Sequence, residues 1–456
     1  MSAYPTALSY QNIPMKSVGS RVSKVEIAPR NGAVFRENGK IEIQLPVMSN
    51  SYINLQSSYL KFKIKTITKP ASLDHTGHSL INRISARSQS AVLSDLQSSN
   101  VLYSALMDLN VGSQSLRDYG FEALGSGGMS ESPHLGKPLN ETTSVGMCLP
   151  FFTGLFALDG RMLPLDTADG VTFTFQLESA ENALFTLDHA NLPTGFIIED
   201  VSLHSYILTL NPEAQAILDE VVEPTGYTMM YEDVAHSSDS KATTELTKIS
   251  TLGFRYSSLS RVLVTHRASV NQNDYKQLSI SNRSTAKMSE IGLLIGGLNV
   301  PDRPIQCGGT DYSQALSETL LSFGVLNDRF QQMSLNGLSE QRLTNDAQTP
   351  DSFQVHYSRY TEEDGHFADD FDVDNIKLIN SAKNGSFCVA IDTDIIKNVS
   401  NNPEALYSGI NSLGSTVQSR IKYSASSTNA QIVDYFGFHN AILSLNPITR
   451  SFEVST

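Results

Sequence analysis

Residues 197–212 read IIEDVSLHSYILTLNP, and residues 432–447 read IVDYFGFHNAILSLNP. The copies lie 235 positions apart and agree at 7 of 16 positions, among them His204 with His439 and the closing Leu-Asn-Pro. Both run apolar at alternate positions, the period of a half-buried strand. Both stop at Asn-Pro, where a residue without an N–H cannot continue a ladder. Each copy therefore predicts the last strand of a β-domain, and a repeat at fixed offset predicts one architecture laid down twice.

The rest of the chain fits that expectation. Its 456 residues suit two domains of about 200 residues each. Hydrophobic residues make up 40% and charged residues 18%, the balance of a folded chain rather than a disordered one. Trp is absent, Ser, Thr, Asn and Gly abound, and helix-period runs are scarce, so many short strands joined by turns are predicted. The expected division is an N-terminal arm over 1–23, a first sandwich over 24–212, a helical linker over 213–226 and a second sandwich over 227–456. The second carries an acidic loop insertion at about 301–375 and a short C-terminal tail.

Within the first half, Asn31-Gly32 and Asn38-Gly39 are turn signals on either side of short strands. The stretch YINLQSSYLKFKIKTI (52–67) alternates cleanly, with Leu60, Phe62, Ile64 and Ile67 predicted inward and Lys61, Lys63 and Lys65 outward. DLQSSNVLYSALMDL (95–109) predicts a short helix. MCLPFFTGLFAL (147–158) and GVTFTFQLESA (170–180) predict strands. EAQAILDEVVE (213–223) is the clearest helix, with Pro212 where a first-turn proline is tolerated and Glu213 at the positive end. SFCVAIDTDI (386–395) and STVQSRIKYSAS (415–426) precede the final repeated strand.

Net charge is −14, unevenly spread. Residues 1–88 hold 12 Lys/Arg against 4 Asp/Glu, while residues 89–456 hold 21 against 43. Lys241–Ser289, early in the second half, is again basic, with 8 against 2. Both modules thus place positive charge in the same early part of the repeat, and such asymmetry predicts faces turned to different surroundings. No stretch reaches the roughly 18 apolar residues that span a bilayer, and the N-terminus lacks the apolar block of a secretory signal. Synthesis and folding in the cytosol are expected, and Cys148, Cys307 and Cys388 are expected as reduced thiols. The sequons at Asn140, Asn282, Asn384 and Asn398 are read as chance.

Motifs that carry chemistry are nearly missing. HLGKP (134–138) puts Pro138 where a phosphate loop needs Ser or Thr for magnesium, and the Gly125–Gly128 cluster has no βαβ frame. There is no HExxH and no GxSxG. His204 and His439 recur in register, but a tandem repeat assigns them to separate domains, so they are read as structural. Asp370, Asp372 and Asp374 resemble a calcium loop but lack its turn glycine and closing Glu, and read as a solvated acidic loop. Converging carboxylates for glycoside hydrolysis leave no local signature. No catalytic, cofactor-binding or metal-binding residue is assigned, and no cofactor is expected.

Four stretches resemble the double jelly-roll major capsid proteins of polintons, adintoviruses and related small DNA viruses, distant kin of adenovirus hexon. They are FRENGKIEIQLPVMSNSYINLQSSYLKFKIK (35–65), NVLYSALMDLNVGSQSLRDYGFEALGSGG (100–128), LPFFTGLFALDGRMLPLDTADGVTFTFQLES (149–179), and YSGINSLGSTVQSRIKYS (407–424) with FGFHNAILSLNPITRSFEV (436–454). Gly112-Ser113 departs from the family's usual Asn-Gly, and Ala105-Leu106-Met107 from its Ser-Leu-Phe. The resemblance implies an all-β fold of two tandem jelly rolls joined by a short helix. It further implies homotrimers forming a pseudo-hexameric capsomer of an icosahedral virion. Expected partners are neighbouring capsomers and minor capsid, penton or cement proteins. The basic early strands are expected to face genome or internal membrane, and the 361–374 loop to cap an outer tower. No enzymatic activity is expected. The alternative is a two-domain β-sandwich carbohydrate-binding protein or glycoside hydrolase, and a one-jelly-roll penton-type protein is disfavoured by the repeat.

Overall fold

The computed structural model describes residues 19–89, 91–110, 123–125, 135–158, 160–168, 170–186, 191–222, 226–307, 313–323, 387–394, 409–446 and 448–456. Sixteen principal strands, eight in each half, build four sheets. In the first half they are β1 (Ser20–Ile27), β2 (Lys40–Gln44), β3 (Ser51–Ile67), β4 (Ile81–Arg87), β5 (Val92–Leu96), β6 (Val145–Pro150), β7 (Thr172–Leu177) and β8 (Gly195–Leu210). In the second they are β9 (Tyr227–Lys241), β10 (Thr247–Leu252), β11 (Leu259–Ala268), β12 (Met288–Ile295), β13 (Leu298–Gln306), β14 (Val389–Asp392), β15 (Val417–Tyr423) and β16 (Gln431–Leu445).

Pairing runs β1-β8-β3-β6 and β2-β7-β4-β5 in the first half. In the second it runs β9-β16-β11-β14 and β10-β15-β12-β13. Adding eight to each strand number of the first half reproduces the second. All these pairs are antiparallel, and each half is a jelly roll of two four-stranded sheets. The repeated sequence is the eighth strand of each half, lying between the first and third strands of its own sandwich.

Local chemistry explains the strands. In β3, Leu60, Phe62 and Ile64 are buried while Lys61 and Lys63 are exposed. Thr66, not Ile67, takes the next inward position, because a period of two counted from Leu60 lands on even numbers. Ile41 and Ile43 of β2 face Phe173 and Phe175 of β7 across the register. Phe151 and Phe156 pack on those rings with centroids 5.3 and 4.9 Å apart. Each buried ring contributes about 1.5–3 kcal/mol.

The repeated Asn-Pro ending has a mechanism. Asn211 Oδ1 accepts the N–H of Ala214, capping helix α2 (Pro212–Val222). Asn446 Oδ1 accepts the N–H groups of Ile448 and Thr449, closing a turn that leads to a short strand, Phe452–Ser455, paired back on β16. The same side chain ends both jelly rolls by capturing the turn that follows.

Several boundaries differ from expectation. Pairing starts at Ser20, so residues 20–23 belong to β1 rather than to an arm, since β8 offers partners as far as Leu210. MCLPFFTGLFAL is strand only to Pro150 and then forms a 3-10 turn at Gly154–Ala157, because Gly154 takes a positive φ of +59°. Helix α1 (Ser99–Asn110) starts four residues after Asp95, which still belongs to β5. The insertion expected over 301–375 begins inside β13, and Ser313–Ser322 forms helix α3 against β14. The acidic residues 361–374 lie outside the described residues, as does most of the 1–23 arm. No helix among the described residues is long and apolar enough to cross a membrane.

Candidate functional site at the seam of the two sandwiches

Helix α1 is buried on every side from Ser99 to Leu109, the signature of a helix enclosed by protein rather than lying on a surface. It presents Ser104 and Asp108 to the second half. Arg283 reaches both, donating from Nη1 to Ser104 Oγ at 2.9 Å and from Nη2 to Asp108 Oδ2. The other oxygen of Asp108 meets His75 Nε2 at 3.1 Å. All three charged or chargeable groups are at most 1% exposed. A buried cation is tolerated only where a carboxylate and further hydrogen bonds satisfy it, so this seam is closed by electrostatics as well as by packing.

Beside it, Asp74 receives the backbone of the second half. The N–H of Ile280 donates to Oδ2 at 2.7 Å, and the N–H and hydroxyl of Ser281 both donate to Oδ1. Burial pushes the Asp74 carboxyl up, and the Ser281 hydroxyl and Ile280 amide pull it back. Asn182 adds two contacts, its Oδ1 accepting from Asn273 N–H and its carbonyl from Ser279 hydroxyl, both at 2.8 Å.

Farther along, β9 is tied to β5 and the 3-10 turn. Ser94 donates to Asp233 Oδ1 at 2.7 Å, and the Tyr231 phenol donates to the Leu93 carbonyl. Gly154 is required here: a Cβ on it would collide with Ser94 Oγ, and its φ is positive. Burial lifts the Asp233 carboxyl to about 6. At the linker, the Tyr52 phenol meets Tyr227 and Gln215 at 3.0 Å each, joining β3, α2 and β9. Arg450 closes the far end on Asp166 at 3.6 Å, and its carbonyl accepts the Ala168 N–H.

His204 and His439 occupy matching places in separate sandwiches. His204 sits opposite Glu26 of β1 and stacks on Tyr59, with centroids 4.9 Å apart and planes 6° from parallel. His439 sits opposite Asp233 of β9 and stacks on Tyr256 at 3.5 Å and 9°. Burial lowers both imidazoles, His439 to about 4. Each is a neutral ring wedged between a first-strand acid and a tyrosine. The partners escape sequence reading because Glu26 to Asp233 spans 207 positions and Tyr59 to Tyr256 spans 197, neither matching the 235 of the repeat.

The other motif residues are dispersed. Leu135–Leu139, which overlaps HLGKP, is a short strand paired with Ala71–Asp74, and Pro138 stands opposite Ser72. Gly125 has φ +72°, while residues 126–128 lie outside the described residues, as do Asp370, Asp372 and Asp374. Cys307 and Cys388 are buried and Cys148 is half-buried, all as free thiols. Among the described residues, no three His, Cys, Asp or Glu side chains gather at metal-binding distance.

Compared with known proteins, the sequence matches no protein-family model and no curated protein. Solved structures do match over nearly the whole chain. The PBCV-1 virus capsid protein superposes with a TM-score of 0.58 at 8% identity, covering 98% of this chain and 99% of that one. The Faustovirus major capsid protein gives 0.56 at 8%, covering 96% and 93%. The mavirus major capsid protein gives 0.50 at 12%, covering 100% and 95%. The chain therefore has the double jelly-roll fold that these capsid proteins share, consistent with its own strand order.

Proposed function

We propose that this chain is the major capsid protein of a DNA virus, with three copies forming a pseudo-hexameric capsomer that tiles an icosahedral virion shell. The observation that carries the reading is the duplication: two jelly rolls with one strand order, held to each other by a buried ion pair and hydrogen bonds. Two similar sandwiches per chain, taken threefold, present six near-equivalent units, which closed rotational symmetry turns into a tile. The likeness to three viral capsid structures supports the same reading.

The reading divides the chain at its helix: residues up to 212 form one jelly roll, 213–226 the linker, and 227–456 the other. Its partners are other copies, minor capsid, penton or cement proteins, and genome or membrane on the inner side, reached through the basic early strands and the residues that precede β1. Its place is the virion. It assigns the chain no catalysis, cofactor or metal.

Mass photometry tests it. Three copies of the 49.8 kDa chain give a particle of about 149 kDa, and negative-stain images are expected to show a six-lobed outline. A stable monomer that binds glycans would overturn the reading in favour of a two-domain lectin or hydrolase.

A further inference from the structure

One sheet of the first jelly roll carries a charged trough, where the matching sheet of the second has a recess of about 40 Å³ beside Glu290, Arg420 and Lys422. On the outward face of β2-β7-β4, Lys40, Gln176 and Arg83 form one cross-strand row, and Gln44, Thr172 and Arg87 form another. Four strand residues separate the rows, roughly 13 Å, and between them runs a third row of Glu42, Thr174 and Ser85. The trough encloses about 410 Å³, and no aromatic or aliphatic side chain lines it. Two of its cations are already matched: Arg30 with Glu42 at 2.8 Å, and Arg83 with Asp95 at 2.6 Å. Lys40 and Arg87 have no carboxylate partner among the described residues. On the matching face of the second jelly roll, Ile249 and Gly292 flank Arg420, and Lys422 is matched by Glu290 at 2.7 Å. The trough is therefore a property of this first-half sequence and not of the fold.

Guanidinium, ammonium, hydroxyl and amide donors on a concave polar face read an anion. Nucleic acid is a poor fit: no ring is present for a base to stack on. The N-terminal 18 residues have the wrong sign, with Lys16 their only charged side chain. The run TEEDGHFADDFDVD (361–374) has the right one, with seven carboxylates in fourteen residues and no Lys or Arg. Asp370, Asp372 and Asp374 alternate within it. On an extended peptide, carboxylates at positions 370 and 374 stand roughly 13 Å apart, the spacing of the two rows. We infer that the trough is a docking site for an acidic peptide and that its occupant is segment 361–374 of a second copy. The choice of a second copy rests on the capsid reading, in which copies are neighbours.

The test uses the full chain with the seven acids of 361–374 changed to Asn or Gln, so that its own segment does not compete. A fluorescein-labelled peptide of sequence TEEDGHFADDFDVD is titrated in by anisotropy at about 50 mM salt, where exposed charges are least screened. Saturable binding is expected, weakened at least about tenfold by K40E/R87E and unchanged by R420E on the matching face of the second jelly roll. Absence of binding, or binding indifferent to K40E/R87E, overturns the inference. Displacement by a short DNA duplex at lower concentration than by unlabelled peptide overturns it in favour of nucleic acid. Melting temperature and particle mass are recorded on every variant. Loss of the trimer in the unmodified chain counts against the capsid reading, whereas loss of peptide binding with the trimer intact counts against the trough alone.

Discussion

Removing the Asp108 carboxylate is expected to loosen the seam more than any other single change. Asp108 is 1% exposed and Arg283 is fully buried, so Asp108→Ala leaves a guanidinium away from water with its carboxylate gone. Breaking a buried pair from one side destabilises by about 3–5 kcal/mol. For a sandwich of this size, each kcal/mol moves the melting temperature about 2–4 °C, so a fall of about 10 °C is expected by calorimetry. The penalty comes from the orphaned charge more than from the lost bond. Asp108→Leu combined with Arg283→Met, which removes both charges, is therefore expected to recover at least half of the loss. Two results refute this reasoning: an Asp108→Ala protein melting within about 2 °C of the parent, or a double variant no more stable than the single.

Further expectations concern the same seam and core. Asp74→Asn keeps the shape but loses one acceptor for the Ile280 and Ser281 donors, and is expected to lower stability by about 1–3 kcal/mol in chemical denaturation. Gly154→Ala meets Ser94 and a positive φ together, and is expected to destabilise by about 1–3 kcal/mol, with Ser94→Ala recovering part of it. Burial holds His266 at about 3 and His78 and His439 at about 4, against an ordinary 6.5. The unfolded chain therefore takes up protons first as pH falls, and stability that is full above pH 6.5 is lost progressively toward pH 4. Asp233, lifted to about 6, works the other way, as does Asp74, which burial also pushes up, but these are two groups against the three histidines. Melting temperature is expected to fall steeply from pH 6.5 to 4, and less steeply in His266→Gln. Burial pushes the Cys307 and Cys388 thiols up to about 12. A thiol reagent is thus expected to titrate one cysteine, Cys148, in the folded chain and three in guanidinium.

Much of the architecture is legible in the residues because strand burial is a local matter. Leu60, Phe62 and Ile64 announce their face through a period of two, and the Asn-Pro endings announce where each eighth strand stops. Ile67 is apolar and reads as inward, yet the parity of the strand outweighs its chemistry and puts Thr66 there instead. The residues of the 3-10 turn at Gly154–Ala157 are apolar enough to read as strand, although Gly154 bends the backbone at that point. The histidine pair is visible as a repeat, but its tyrosine and acid partners are not, because connections of unequal length shift them off the repeat's offset.

From its sequence alone, this chain is a duplicated β-protein: the recurrence of one strand and the alternation around it follow from backbone periodicity, which each segment carries within itself. Which residues bind the two copies together was decided only in three dimensions. Asp74 with Ser281 and Asp108 with Arg283 are separated by 207 and 175 positions. Nothing near any of them in the chain marks it as one half of a pair. A buried charge is stable only opposite its partner, and that partner is chosen by how two finished sandwiches dock. The trough on β2-β7-β4 has the same origin: Lys40 and Arg87 are ordinary outward residues of separate strands until the register sets them on one face.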